Sequence, residues 1–180
     1  MFTYHDETTA PANSLPILQK VKAALGFAPN LHRVLAEAPA AYSTYVTLYE
    51  TATSNSSLSA IEAQIVMMTS NVWNRCHYCT ASHVMLLTMM EAPADIIEAF
   101  RDNRPIADTR QQALREFTEN LLAERGHIGD AQLRSFLDAG YTKQQALDVL
   151  VALSAKLISN FTNALTHTEV DQSIKAYQWA

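Results

Sequence analysis

Residues 76–83 run Cys76-His77-Tyr78-Cys79-Thr80-Ala81-Ser82-His83 and hold the only two cysteines of the chain. Positions i and i+3 share a helix face, as do i and i+4. On a helix, Cys76, Cys79 and His83 therefore form one stripe. That set supplies an attacking sulfur, a resolving sulfur and a base to make a thiolate. A helix beginning near Cys76 would add free N–H groups and a positive dipole end, both of which favour a thiolate. His83 lies one turn beyond Cys79, so Cys79 is the thiol it reaches most directly. A division of labour follows: Cys79 attacks an oxidised substrate and becomes a sulfenic acid, and Cys76 condenses with it to a disulfide. Two plainer readings stand beside this one. The two cysteines and the histidine can be packing residues of a buried face. They can also bind zinc, with His77 or a distant histidine as fourth ligand, although no second close pair of ligands is visible.

Working outward from this stretch, helices cover almost the whole chain and no alternating strand pattern interrupts them. Residues 1–13 read as an irregular arm. Helices are expected at about 15–25, 29–37 and 39–53, with Pro16, Pro29 and Pro39 each where a first turn can begin. Ser59 and Glu62 form a capping box that starts an apolar helix to about Trp73. Asn74-Arg75 breaks it, and the next helix runs from about Cys76 to Met90. Pro93 opens another through Phe100. Helices follow at about 108–125, 130–138 and 143–166, with Asp108 and Asp130 as N-caps of the first two. Gly126 and Gly140 mark stops, and Thr142 with Gln145 caps the last helix. Residues 170–179 read as one more short helix. The expectation is one all-α domain over 1–180.

Composition narrows the function. The chain has 180 residues, 48% of them hydrophobic, and a formal net charge of −5. Acidic balance without a Lys/Arg cluster argues against nucleic-acid binding. The N-terminus lacks the basic start and apolar run of a secretory leader. The apolar stretch from Ala146 to Phe161 carries Asp148, Lys156 and Asn160, and reads as too polar and too short to span a bilayer. A cytoplasmic location is expected, where a C-x-x-C pair is catalytic or metal-binding rather than a structural disulfide.

Several other side chains invite a role. Asn160, Asn163 and His167 share one face of the long helix, and either cap the thiol pocket or bind neighbouring backbone. His77 points off the cysteine stripe. Tyr78 and Trp73 are expected mainly to pack. Met67, Met68, Met85, Met89 and Met90 are expected in the core or at subunit contacts.

Leu58-Ser59-x-x-Glu62 … Asn74-x-Cys76-x-Tyr78-Cys79-x-x-x-His83 resembles the AhpD-like alkylhydroperoxidases of the carboxymuconolactone decarboxylase superfamily. The segments Phe136-Leu137-Asp138-Ala139-Gly140-Tyr141-Thr142 and Ser159-Asn160-Phe161-Thr162-Asn163 are similar to its peroxidase-related branch. The resemblance implies an all-α AhpD-like domain, assembled as trimers or hexamers, that reduces small hydroperoxides and is restored by a dithiol protein or lipoyl group. It implies that Cys79 is peroxidatic, Cys76 resolving and His83 the motif histidine, with no cofactor or metal. It also shows two departures. Gln64, which cannot titrate, stands where AhpD itself has a relay glutamate, and Tyr78 stands where AhpD has a histidine. Glu62 is the nearest carboxylate and the candidate substitute. It has a competing task as the capping partner of Ser59, and two residues turn a helix by about 200° away from the Gln64 direction. The rival functions are a redox adaptor between a lipoyl or thioredoxin-like donor and a separate peroxidase, a decarboxylase of the same superfamily, and a zinc-stabilised binding module.

Overall fold

The computed structural model describes residues 2–179. Nine α-helices follow one another among these residues: α1 (Leu15–Leu25), α2 (Asn30–Leu35), α3 (Pro39–Ser54), α4 (Ala60–Trp73), α5 (His77–Met89), α6 (Ala94–Arg101), α7 (Thr109–Ala123), α8 (Asp130–Asp138) and α9 (Lys143–Thr166). A short 3₁₀ turn of helix at Gln172–Tyr177 closes the described chain, within the stretch where one more short helix was expected. The fold is all-α, as the periodicity predicted.

Local chemistry sets the boundaries. Ser59 Oγ accepts from the Glu62 N–H at 3.2 Å while Glu62 accepts from the Ser59 N–H at 2.8 Å. Thr142 and Gln145 repeat this at α9, and Asp108 accepts from the Gln111 N–H at α7. Asp130 departs from expectation. It is the first residue of α8, and Gly129 takes the cap position, its N–H held by Gln132. Gly140 ends α8 at φ 92°, a left-handed conformation that glycine adopts without a Cβ clash. Between α4 and α5, Arg75 turns the chain at φ 52° and the Cys76 N–H returns to the Asn71 carbonyl. That tight reversal sets Cys76 as the N-cap of α5 and Cys79 in its first turn.

α4 is the central helix. Its Ile65, Val66, Met67 and Met68 are fully buried, and α3, α5, α7 and α9 pack around it. Two buried clusters result. One joins α4 to α6–α9 and includes a stack of Phe117, Phe136 and Tyr141. The other joins α1–α3, the start of α5 and the 3₁₀ turn, and contains Leu18, Tyr42, Ile174 and both cysteines. Met89, by contrast with Met67 and Met68, is 65% exposed.

α9 corrects the expectation for the last long helix. It is 24 residues long and contains an 18-residue window of mean hydropathy 1.2, the length and composition of a membrane-spanning segment. Its inner face nevertheless packs against α2–α5 and buries Lys156, Asn160 and Asn163. Those polar groups find partners inside the protein, as a core helix requires.

Candidate functional site

Both thiols are free and buried, Cys76 at 8% exposure and Cys79 at 1%. The cap-and-first-turn arrangement brings the two sulfurs within reach of one side chain. α9 crosses beside them. Its Asn163 Nδ2 donates to Cys79 Sγ at 3.1 Å and reaches Cys76 Sγ at 3.7 Å. Burial raises the Cys79 thiol, but that effect is outweighed by the neighbouring Cys76 thiol, the Lys156 charge, Asn163 and Asn160. Together they hold Cys79 well below the usual cysteine range. Its place beside Cys79, together with its own burial, pushes Cys76 up. The two sulfurs thus differ in character, with the anion on Cys79 and the proton on Cys76.

His83 lies one turn beyond Cys79, but both of its ring nitrogens are engaged elsewhere. Nδ1 is 2.6 Å from Gln64 Oε1, and Nε2 is 3.0 Å from Lys156 Nζ. An ammonium can only donate, so Nε2 accepts and the proton sits on Nδ1, facing the Gln64 carbonyl. Gln64 Nε2 in turn donates to the Tyr49 hydroxyl at 3.3 Å. Burial, reinforced by the Lys156 charge, keeps His83 well below its ordinary value and hence neutral. The cation beside the thiols is Lys156, not an imidazolium. Its side chain is 1% exposed. Sequence reasoning weighed this lysine only as an obstacle to membrane insertion. A lysine among Ala152, Ala155, Ser159 and Asn163, on the inward face of an apolar helix, was the available signal.

Glu62 is not brought to this group. Its oxygens are occupied by the Ser59 N–H and by Arg110 from α7, at the start of α4. Glu62→Gln is therefore expected to cost about 1–2 kcal/mol of stability through the lost cap and ion pair. The rate of thiol alkylation should stay unchanged, which chemical denaturation and iodoacetamide kinetics together check.

The two roles weighed for the polar face of α9 divide between its residues. Asn163 serves the sulfurs. Asn160 ties α4 to α9 through Ser70, Asn71 and Asn74. His167 is an exposed C-cap with φ 52°. Tyr78 does more than pack: its hydroxyl donates to Asp171 at 2.6 Å and accepts from the Leu31 N–H at 3.2 Å. It thereby pins the chain after α9 and the start of α2 to α5.

These ties close a cavity of about 300 Å³ among α1, α2, α3, α5 and the 3₁₀ turn. Phe27, Tyr45, Tyr49 and Tyr78 give it an aromatic wall, and Cys79, His83 and Lys156 line it as well. Cys76 is not part of that lining. A molecule in the cavity would therefore meet Cys79 rather than Cys76. Among the described residues, no three of His, Cys, Asp and Glu are grouped as a metal site.

Residues 39–120, which contain Cys76, Cys79, His83 and Gln64, match the carboxymuconolactone decarboxylase family. Over these residues the chain is similar to the carboxymuconolactone decarboxylase family, and its fold is AhpD-like. Solved AhpD-like structures share its fold. The AhpD-core, peroxidase-related protein from Ralstonia eutropha JMP134 superposes with a TM-score of 0.85 at 17% identity, over 96% of this chain and 93% of its own. A peroxidase-related protein from Silicibacter sp. TM1040 gives 0.82 at 16% identity, over 96% and 91%. The debrominase Bmp8, as a cysteine-to-alanine variant in complex with 2,3,4-tribromopyrrole, gives 0.81 at 15% identity, over 98% and 95%. No curated protein matches the chain in sequence. The solved structures that share this fold bear names of more than one chemistry, a peroxidase-related protein and a debrominase among them.

Proposed function

We propose that this protein is a thiol-dependent peroxidase that reduces small organic hydroperoxides through a Cys79/Cys76 dithiol–disulfide cycle. One observation carries the reading: Cys79, held well below the usual cysteine range, lines an apolar cavity, and Cys76 shares with it the Asn163 amide that reaches both sulfurs. The Cys79 thiolate attacks the terminal oxygen of the hydroperoxide. The O–O bond breaks, a sulfenic acid forms on Cys79, and the alkoxide leaves as an alcohol after taking a proton. The Cys76 sulfur then attacks the sulfenic sulfur, the S–O bond breaks, and the Cys76 proton departs with the hydroxyl as water. A dithiol protein or lipoyl group reopens the disulfide, a supply that suits the cytoplasm.

Intact mass on adding one equivalent of cumene hydroperoxide to the reduced protein tests this. Wild type should lose two hydrogens, Cys76→Ser should gain one oxygen, and Cys79→Ser should stay unchanged. Inert thiols in all three would overturn the peroxidase and favour the redox adaptor.

The aromatic wall of the cavity supports a second reading, reductive dehalogenation of a flat ring, as the debrominase neighbour's name suggests. There the Cys79 thiolate would take the bromine of a bromopyrrole, the ring would take a proton, and Cys76 would displace bromide as the disulfide closes. Bromide release coupled to disulfide formation distinguishes it from peroxide reduction.

The outer face of α9 supports a homo-oligomer. Leu147, Leu150, Leu157, Phe161 and Leu165 are 44–69% exposed along it, and large apolar side chains gathered on one exposed face mark contact surfaces.

A further inference from the structure

Lys156 is a buried cation without a carboxylate. Among the described residues, no Asp or Glu lies within ion-pair distance of its ammonium, and none lines the cavity it faces. The titratable groups around it are Cys76, Cys79, His83 and Tyr78 at α5, Tyr45 and Tyr49 on α3, and His32 on α2, with Tyr78 pushed up by burial and by its bond to Asp171. Burial holds His32 at about 4, so it is neutral. Burial likewise pushes Tyr45 and Tyr49 up, so their hydroxyls keep their protons. The single counter-charge left is the Cys79 thiolate.

That counter-charge exists only in the reduced state. Once Cys79 carries oxygen, or is joined to Cys76, the anion is gone and the cation would remain alone in an apolar wall. The Lys156 ammonium is then a proton source that faces the cavity. The cavity holds the group that needs one, since breaking the O–O bond releases an alkoxide beside the Cys79 sulfur. Lys156 lines the same cavity. One ammonium N–H is held by His83 Nε2, and two remain to donate. His83 cannot be the donor, because its proton is on Nδ1 and turned toward Gln64.

We infer that Lys156 is the proton donor of the peroxide step, and that the proton it gives up is restored when the disulfide is reduced. The step balances. Cys79 thiolate, hydroperoxide and the Lys156 ammonium become Cys79 sulfenic acid, alcohol and a neutral Lys156 amine. The sulfur loses two electrons and the peroxide oxygens gain them. Disulfide closure then releases water with the Cys76 proton. Reduction by a dithiol returns one proton to Cys76 and one to Lys156. The couple thus moves two protons with two electrons, although the reduced protein holds one thiol and one thiolate. The inference rests on the dithiol cycle proposed above, and it explains how a site with glutamine at position 64 manages without a relay carboxylate. The charged member of the network is a cation that travels with the thiolate.

The test is the proton count. The protein is equilibrated with dithiothreitol between about pH 6 and pH 7.5, where both thiols of that reagent stay protonated. The disulfide fraction is read by mass, and thiolate by its absorbance near 240 nm. In wild type the thiolate band should be present throughout while the exchange constant stays flat. In Lys156→Arg, which keeps the charge but cannot release a proton, the thiolate should remain and the constant should change about tenfold per pH unit. Its peroxide step should be slower by about a hundredfold or more. Lys156→Met should lose the thiolate band. A wild-type constant that changes tenfold per pH unit while the band is present would overturn the proposal, and so would a missing band. The wild-type arms decide this even if neither variant folds. Failure to form any disulfide would overturn the dithiol cycle along with it.

Discussion

Alkylation of Cys79 by iodoacetamide is expected to run at a nearly constant rate from about pH 8 down to pH 6, where an ordinary cysteine slows by about a hundredfold. The sign follows from the site. Burial alone would raise this thiol, but it lies beside the Cys76 thiol and the Lys156 charge and accepts from Asn163, so its net displacement is downward. A group already ionised at the lower pH gains nothing as pH rises. Cys76 is displaced the other way by its place beside Cys79 and by burial. In Cys79→Ser the remaining thiol should therefore be almost silent over the same range. A wild-type profile that climbs tenfold per pH unit would mean that the α9 side chains do not stabilise the anion. The proposed order of attack would then lose its physical basis. The absolute rate should be modest, because nucleophilicity falls with thiol pKa. The shape of the profile is the decisive readout.

Phe136→Ala is expected to lower the unfolding free energy by about 3–5 kcal/mol. Phe136 is 1% exposed and lies between two rings. The Phe117 centroid is 4.0 Å away and the Tyr141 centroid 4.5 Å, with Tyr141 parallel within 2°. The Arg110 guanidinium covers the far side of Tyr141 at 3.9 Å and pairs with Glu62, linking the stack to the start of α4. Truncation removes the middle of that column, and α8 has no other fully buried side chain with which to close the gap. Thermal unfolding should drop by roughly 10 °C or more for a chain of this size. Peroxide-driven loss of two hydrogens should persist at low temperature, because the thiols sit in the other buried cluster. If the oxidation rate fell in step with stability, the two clusters would not be independent.

The sequence by itself determined what depends on spacing within one helix. Ser59 with Glu62, Asp108, and Thr142 with Gln145 each announce a helix start, because a cap is a contact across three residues and needs no fold to form. Cys76, Cys79 and His83 fall on one stripe for the same reason. The break at Asn74-Arg75 was legible too, and it makes Cys76 a cap residue. Only the tertiary structure decided what stands opposite that stripe. Lys156 and Asn163 lie 80 and 87 residues beyond Cys76 in sequence, and no periodicity links them to it. They reach the site because α9 crosses α5 with its polar face inward, where each buried polar group must find a partner. That crossing moved the positive charge from His83 to Lys156, and it left Glu62 to a cap and an arginine at the start of α4. Helix caps and stripes are local free energies. Which thiol is the anion is a long-range electrostatic outcome, fixed only when distant helices meet in a medium that excludes water.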